Sequence, residues 1–277
     1  MKPTFRFTSI LRPLTIAFVC ALSLFPLYWM FVTAVTPEAR LLQYPPVFVP
    51  LDPDFSAFRR VFTIGPLALW LFNSAVLTLS SMTAALAISV FAGYSLSRYK
   101  SPLATGLAFL LLATKMIPAT LLMVPLYMMF KDWGLNDSRW ALIIAYTTFE
   151  IPFATWMLKG YFDSLPQELE QAAEVDGCSP FTAFFRVTLP LAAPGIAAAA
   201  IASAVLAWGD YDFARGLIAS QPNWPVTVGI NSLFGEHVIH WNDIMTSSLV
   251  SILPVMALFI LVERYIVSGM TAGAVKG

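Results

Sequence analysis

The sequence is poor in charged residues, cysteine and histidine. Only 12% of its 277 residues are charged, against roughly 25% in a soluble domain, whereas 58% are hydrophobic and the mean hydropathy is +0.73. A soluble fold of this length could not bury so many apolar side chains, so lipid must cover part of the surface. Acidic and basic residues are equal in number, at 16 each, and no basic cluster indicates nucleic-acid binding.

Patterns typical of enzymes and metal proteins are also missing. Cys20 and Cys178 are too few and too far apart for a disulfide framework or a metal site. His237 and His240 have His-x-x-His spacing, but no third ligand lies near them in the sequence. There is no Gly-rich phosphate loop and no nucleophile elbow. The sequence therefore predicts a protein that is no enzyme and that binds no metal or cofactor itself.

What the chain does have is long apolar segments, each close to the roughly 20 residues that a spanning helix needs. The first is about 22 residues long, more than the roughly 7–15 of a cleaved signal peptide, so we interpret it as a retained anchor. No internal repeat is visible. We predict an all-α, polytopic membrane protein with a single domain, 1–277, and six spans, at 14–35, 70–96, 104–130, 138–159, 192–213 and 246–267.

Lysine and arginine set the orientation of these spans. An even number of spans puts both termini on one side, and the short loops with positive charge favour the cytoplasm for that side. Short loops rich in lysine and arginine usually stay in the cytoplasm (the positive-inside rule). On the far side, arginine and lysine lie mostly in the longest loops, where this rule has the least weight. The cytoplasmic set is Lys2, Arg6, Arg12, Arg98, Lys100, Lys159, Arg186, Arg264 and Lys276. The polar segment 161–190, between the fourth and fifth spans, is therefore predicted to be cytoplasmic.

The first half of this segment predicts a short acidic helix over 168–176. Ser164 is an expected N-cap, with Gln167 at the third position of a capping box. Gly177 is the expected C′ residue that stops the helix. Glu170 and Glu174 are like charges one turn apart, the wrong sign for a helix that lies on anionic lipid. We interpret this helix as a surface for a protein partner.

The second half predicts another short helix, with Ser179 as N-cap and an end near Pro190. Phe181, Phe184 and Phe185 share one face at helical spacing and need a covering surface. That surface is either the membrane domain with its lipid headgroups or a partner. The two helices together predict a docking hairpin.

These residues carry a family resemblance. The hairpin resembles the EAA loop of the permease subunits of binding-protein-dependent ABC importers: Glu-Ala-Ala, three residues, Gly, nine residues, an aliphatic residue, one residue, Leu-Pro. The chain has Gln171, Ala172, Ala173, Gly177, Val187, Leu189 and Pro190 at that spacing. Gln171 departs from the usual glutamate, so roles that need that carboxylate do not carry over. The resemblance assigns ATPase coupling to Gln171, Ala172, Ala173, Gly177, Phe181, Phe184, Phe185, Leu189 and Pro190.

The likeness extends over nearly the whole chain. Asn73-Ser74 looks like the Asn-Ser at the start of the core of these permeases. Residues 92–98, at the end of the second predicted span, resemble their Ala-Ala-Tyr-Ala-Leu-Ala-Arg motif. Residues 116–118, 124–127 and 269–277 look like the maltose-type carbohydrate subunit. The resemblance implies the type I ABC importer permease (MetI-like) fold.

The resemblance further implies several partner chains. A second permease subunit would form a heterodimer with this one, and an ABC ATPase dimer would bind ATP and Mg²⁺ and hold the coupling helices, here about 179–188. An extracytoplasmic solute-binding protein would deliver the sugar at the outer rim. The complex would lie in the cytoplasmic membrane of a bacterial or archaeal cell.

Charged residues near the centre of a span cost roughly 2.5–3.5 kcal/mol each on insertion scales and need a reason. Lys115 lies in the predicted third span, Glu150 in the fourth, and Asp210 follows Trp208 in the fifth. A buried Lys115–Glu150 pair would relieve both costs, and so would a water-filled cavity. The functional interpretation is a polar sugar pathway made of Asn73, Lys115, Tyr146, Glu150, Trp208 and Asp210.

Within that pathway, charged groups would hydrogen-bond to sugar hydroxyls, and Trp208 or Tyr146 would stack on a pyranose. Lys115 and Glu150 would mark a charged or unusually polar substrate. Asn73 is more typical of helix packing. Three alternatives remain open on sequence alone: an importer of a polyol or glycerophosphodiester, a proton-coupled secondary transporter with Lys115, Glu150 and Asp210 as its relay, and a scaffold protein.

Overall fold

The computed structural model describes residues 7–235 and 239–274, and this part of the chain is almost entirely helical. Its β pairing is limited to one bridge between Phe234 and Ile239. The predicted all-α class is therefore confirmed. The α-helices are α1 (Phe7–Val35), α2 (Ser56–Thr63), α3 (Leu67–Arg98), α4 (Pro102–Thr114), α5 (Met123–Asp132), α6 (Arg139–Ser164), α7 (Glu168–Val175), α8 (Pro180–Ala183), α9 (Leu189–Leu191), α10 (Ala193–Gly209), α11 (Asp212–Leu217), α12 (Val226–Ser232) and α13 (Trp241–Ala274).

Four of these helices, α1, α3, α6 and α13, are long and apolar enough to cross a membrane unbroken. Two bent pairs bring the number to six if each pair is one span. Pro152 and Pro254 lie inside α6 and α13, where neighbouring groups can satisfy the carbonyls that proline leaves free.

The predicted continuous third span is wrong. The chain bends by 88° between α4 and the helical stretch Ala119–Asp132 that contains α5. Pro118 explains the break, because proline disfavours helical geometry in the residue before it and lacks a backbone donor. Lys115 consequently lies at the C-terminal cap of α4 and not in mid-helix.

The predicted fifth span, 192–213, contains α10, and the chain bends by 68° just before it, between the helical stretch Pro180–Leu191 and α10. The helical stretch before the bend ends at Leu191, next to Pro190 as predicted, and a π-helical turn, Phe184–Thr188, precedes the proline. A π turn widens the helix where the proline ring would otherwise meet the carbonyl of residue i−4. Because α10 ends at Gly209, Asp210 lies beyond the helix as its cap residue.

The described residues group into two compact units. One unit contains the chain up to Leu67 together with Ile230–Ile252. Within it, Asn242 is buried and its amide donates to the carbonyls of Thr33, Ala34 and Thr36 at 2.9, 3.2 and 2.7 Å. The last turn of a helix has carbonyls without helical partners, so Asn242 caps the C-terminal end of α1.

The other unit contains Ala68–Gly229 and the chain from Leu253 onward. Gly93 on α3 lies so close to α6 that an added Cβ would be 3.0 Å from the backbone nitrogen of Lys159. Two apolar clusters fill this unit. One is centred on Leu142, Tyr146 and Phe213, and the other consists of Val90, Leu158, Phe162, Phe184, Ala192 and Ala199.

A polar clamp holds the loop between α11 and α12 within the second unit. Asn73 is fully buried, and its amide donates to the carbonyls of Pro222 and Trp224, both at 2.9 Å. The neighbouring Ser74 hydroxyl accepts from the amide of Val226 at 2.8 Å. The Asn-Ser pair therefore fixes the loop's backbone, a packing role for Asn73.

Replacing Asn73 with alanine should lower the midpoint of thermal unfolding in detergent. The change removes two hydrogen bonds that contribute about 0.5–1.5 kcal/mol each to stability. Gln221→Ala, which removes an exposed amide from the same loop, is the control and should leave the midpoint unchanged. Equal midpoints for the two variants would contradict the clamp.

Candidate functional site

The segment 161–190 forms a sharp corner between two capped helices. At the end of α7, Gly177 has φ +92°, a left-handed conformation that glycine adopts without strain. The amide of Cys178 donates to Ala173 at 2.9 Å and the amide of Gly177 to Glu174 at 3.0 Å, the two bonds of a Schellman motif. Ser179 then caps α8, accepting from the amide of Thr182 at 3.2 Å. The predicted stop at Gly177 and cap at Ser179 are confirmed.

The predicted N-cap of the first helix is wrong. Helix α6 continues through Ser164, whose hydroxyl donates back to the carbonyl of Tyr161 at 2.6 Å. Helix α7 starts at Glu168 after Gln167, whose side chain makes no capping bond. The capping-box pattern failed because the preceding span is five residues longer than its apolar stretch suggests.

The corner exposes apolar side chains. Val175 at the end of α7 is 87% exposed and Phe181 on α8 is 71% exposed. Phe185 is 40% exposed and contacts the Phe181 ring at 4.7 Å between centroids. The three phenylalanines do not share one exposed face, because Phe184 is buried with its ring 4.6 Å from that of Tyr94. Among the other predicted coupling residues, Gln171, Ala172 and Pro190 are exposed, and Ala173 and Leu189 are half-buried.

An ion pair attaches the hairpin to α3. Arg98, the last residue of α3, donates to the Glu170 carboxylate at 2.6 and 2.8 Å, and the Tyr94 hydroxyl donates to the same carboxylate at 2.9 Å. The two charged side chains are only 10% and 13% exposed. Burial acts to raise the pKa of Glu170, but the hydrogen bonds from Arg98 and Tyr94 outweigh it and lower the pKa below its ordinary value. Glu170 therefore anchors the hairpin to α3. The prediction that it belongs to an acidic outer face is wrong.

The second feature is a cavity of about 320 Å³ beside the break between α4 and α5. Four of the six predicted pathway residues line it: Lys115, Tyr146, Glu150 and Asp210. They come from the end of α4, the middle of α6 and the cap of α10. The sequence could suggest these residues one by one, but only the break brings Lys115 to the same cavity.

Hydrogen bonds within the chain hold the carboxylates of the cavity. The Tyr146 hydroxyl donates to Asp210 Oδ2 at 2.8 Å, and the amide of Ala214 donates to the same oxygen at 3.1 Å. The Ser81 hydroxyl donates to Glu150 Oε1 at 3.2 Å. Sequence reasoning missed Ser81, since a lone serine in an apolar helix gives no signal of its partner.

The close Lys115–Glu150 ion pair, one of the two explanations that the sequence left open, is not formed. The Lys115 ammonium donates to the carbonyl of Phe149, and no carboxylate of the described residues lies within 4.0 Å of it. Lys115 and Glu150 nevertheless line the same cavity, where their opposite charges attract each other at longer range.

The remaining predicted site residues lie elsewhere. Asn73 belongs to the loop clamp, and Trp208 is half-buried and does not line the cavity. His237 lies outside the described residues, and His240 Nδ1 is 2.8 Å from Glu38 Oε1. Within 7–235 and 239–274, no three histidine, cysteine or acidic side chains are grouped as metal ligands would be.

Comparison with known proteins gives the family. The profile described as "Binding-protein-dependent transport system inner membrane component" matches residues 85–271, about two thirds of the chain. The chain belongs to this family. The match covers both candidate features, the hairpin and the cavity.

Relatives of the permease match along almost its whole length. The sulfoquinovosyl glycerol transport system permease protein SmoH of Agrobacterium fabrum is 35% identical over 92% of this chain and 89% of its own length. The diacetylchitobiose uptake system permease protein DasC of Streptomyces coelicolor is 30% identical over 91% and 92%.

A solved structure shows the same fold. A chain from a bacterial ABC transporter involved in the import of the acidic polysaccharide alginate superposes with a TM-score of 0.79 at 22% identity. The superposition covers 96% of the permease and 98% of that chain. The predicted ABC importer permease fold is confirmed, as are a multi-pass inner membrane component and a non-catalytic transport subunit. The carrier and scaffold alternatives are thereby set aside.

Removing the charge of Glu170 should loosen the hairpin. In Glu170→Gln, amide hydrogen exchange of α7 should be faster by about tenfold or more, because hydrogen bonds to charged groups contribute about 1.5–3 kcal/mol. Glu174→Gln, an exposed change one turn along the same helix, is the matched control. Equal exchange rates in the two variants would show that the ion pair does not hold the hairpin.

The same carboxylate predicts a pH dependence. Since the pKa of Glu170 is lower in the folded state, its stabilisation is fully present above the unfolded value of about 4.3 and is lost as the pH falls through the lowered folded value. The unfolding midpoint of the wild type should therefore exceed that of Glu170→Gln at pH 7, and the gap should close below about pH 4. A gap that is constant with pH would contradict this assignment.

Proposed function

We propose that this permease is the transmembrane subunit of an ATP-driven importer of carbohydrate, and that it forms half of the translocation pathway. The relatives support the substrate class, since SmoH and DasC are named for transport of sulfoquinovosyl glycerol and diacetylchitobiose. A polyol or glycerophosphodiester is the alternative substrate, because hydroxyl groups would meet the same polar side chains.

The observation that carries the coupling role is the exposed apolar corner on a rigid hairpin. Val175 and Phe181 project from a turn whose backbone is fixed by the Schellman motif and the Ser179 cap. Apolar side chains so exposed outside the spans favour burial against another protein. We infer that this corner docks in an ATPase subunit.

Force would pass from the corner into the membrane through two contacts. The Arg98–Glu170 pair joins α7 to α3, and Phe184 packs on Tyr94 of the same helix. Movement of the docked ATPase would therefore move α3 as a rigid body with the hairpin. Such rigid-body movement is one of the established ways in which proteins switch between two states.

The partners proposed are those of a complete importer. An ABC ATPase dimer would bind ATP and Mg²⁺, which this chain would not bind itself. A second, non-identical permease subunit would form the other half of the pathway, and an extracytoplasmic binding protein would deliver the solute. The complex would reside in the cytoplasmic membrane of a bacterial or archaeal cell. The single-domain organisation of 1–277 remains a prediction.

A glutamate at Gly177 should abolish transport and weaken ATPase docking while the spans still insert. The side chain would strain a backbone at φ +92° and put a charge beside the apolar corner. Gly134 is a matched control, because it also has positive φ, at +71°, and an added Cβ would meet nothing within 4 Å at either glycine. The measurement is recovery of the ATPase chain encoded beside this permease, followed by solute uptake in proteoliposomes.

We expect Gly177→Glu to lose the ATPase and Gly134→Glu to retain it. Phe181→Ala, which leaves the backbone unstrained, should weaken recovery in the same direction. Normal uptake by Gly177→Glu would refute the coupling assignment. Recovery of no ATPase by folded wild-type protein would refute the importer itself.

A further inference from the structure

A cleft of about 820 Å³ lies on the side of the second compact unit that carries the hairpin. Its walls come from the end of α3, the start of α4, the second half of α6 and the start of α7. Among the described residues it shares no lining side chain with the cavity beside the α4 break. We call it the hairpin-side cleft.

The hairpin-side cleft changes from charged to apolar along the helices that line it. Lys100, just before α4, and Lys159 of α6 lie nearer to the hairpin, whereas Phe109 and Trp156 lie deeper in the same two helices. The two aromatic rings are 6.5 Å apart between centroids, and both side chains are exposed, by 61% and 40%. Basic pockets between spanning helices are typical sites for lipid headgroups. A cleft that is charged toward water and apolar toward the bilayer therefore matches the two ends of a phospholipid.

Two of the charged groups that line the cleft already have close partners. Lys159 Nζ donates to Asp163 Oδ2 at 2.7 Å, and the Ser97 hydroxyl donates to Oδ1 of the same carboxylate at 2.7 Å. Arg98 is held by its ion pair with Glu170. These side chains shape the cleft, but their charges are largely balanced within the chain.

Lys100 and Glu168 are the charged side chains that the cleft offers to a ligand. Both are exposed and line it, and within the described residues neither forms an ion pair closer than 4.0 Å. Lys100 attracts Asp163 at longer range, but that carboxylate is already bonded to Lys159 and Ser97. The cleft therefore presents one cation and one anion to whatever enters it.

A lysine beside a glutamate suits a zwitterionic headgroup better than an anionic one. The phosphate of any phospholipid would be attracted to Lys100. A second group that is positive, and not neutral or negative, would be attracted to Glu168. A primary ammonium has three N–H donors for a carboxylate, whereas a trimethylammonium group has none. The charges thus select ethanolamine over choline and glycerol.

We propose that the hairpin-side cleft binds a phospholipid with an ethanolamine headgroup. The phosphate meets Lys100, the ammonium meets Glu168, and the start of an acyl chain packs on Phe109 and Trp156. Because Glu168 is the first residue of α7, the bound headgroup joins the base of the hairpin to the start of α4. Lipid binding of this kind goes beyond the proposed transport function and does not depend on which solute is carried.

Native mass spectrometry tests the proposal on the full-length permease and on its complex with the second permease and the ATPase. The probes are dioleoyl phosphatidylethanolamine, phosphatidylcholine and phosphatidylglycerol, which differ only in headgroup, and glycerophosphoethanolamine, which lacks acyl chains. The variants are Lys100→Gln and Glu168→Gln. Lys131→Gln and Glu174→Gln are the matched controls, because both residues are exposed and neither lines the cleft.

We expect the wild type to bind phosphatidylethanolamine more tightly than the other two lipids. Lys100→Gln should weaken all three by about fivefold, the effect of one lysine near a phosphate. Glu168→Gln should weaken phosphatidylethanolamine by about as much and leave phosphatidylcholine unchanged, which also shows that this variant is folded. Both controls should match the wild type, and glycerophosphoethanolamine should bind more weakly than the lipid.

Four results would overturn the proposal. Preference for phosphatidylglycerol would mean that Glu168 does not select an ammonium. Equal binding of the three lipids, unchanged in both variants, would mean a non-specific lipid shell. Binding of glycerophosphoethanolamine as tight as that of the lipid would mean a site for a soluble phosphate ester. Loss of the lipid when the permease is in its complex would mean that a partner chain covers the cleft.

Discussion

The ion pair between Arg98 and Glu170 is the constraint on which the position of the hairpin depends. It joins the end of a membrane span to a polar helix, and both side chains are largely buried. A buried pair of this kind costs desolvation, which is offset here by two hydrogen bonds from the guanidinium and a third from Tyr94. Because the Arg98–Glu170 ion pair fixes α7, the turn at Gly177 and the exposed Phe181 keep a defined position relative to α3.

A second constraint is that lipid cannot satisfy free backbone groups. The bend between α4 and the helical stretch Ala119–Asp132 leaves helix ends inside a membrane span if the pair is one span, and such breaks are tolerated where protein or a cavity covers them. At this break Thr114, Lys115 and Pro118 line a cavity. Lys115, Glu150 and Asp210, whose charges cost free energy in a membrane, thus all line the cavity at this interruption.

The sequence predicted the elements whose causes are local. The Gly177 turn follows from a glycine after an acidic helix, the Ser179 cap from a short polar side chain before a proline, and α1, α3, α6 and α13 from long apolar runs. The failures have a common cause. Ser164 looks like a cap and Glu170 like a surface charge, because the sequence does not reveal that α6 runs on through Ser164 or that Arg98 lies opposite Glu170, 72 residues away.

By itself, therefore, the sequence determined the helical membrane class, the polar hairpin and the resemblance to importer permeases, all of which rest on spacing along the chain. Only the tertiary structure decided which side chains meet: that Phe184 packs inward while Phe181 stays outside, that Asn73 holds a loop, and that Lys115 shares a cavity with Glu150 without pairing to it. The position of Lys115 follows from the bend of 88° after α4. Hydrophobic periodicity does not encode that angle, because an apolar run looks the same whether its helix is straight or broken.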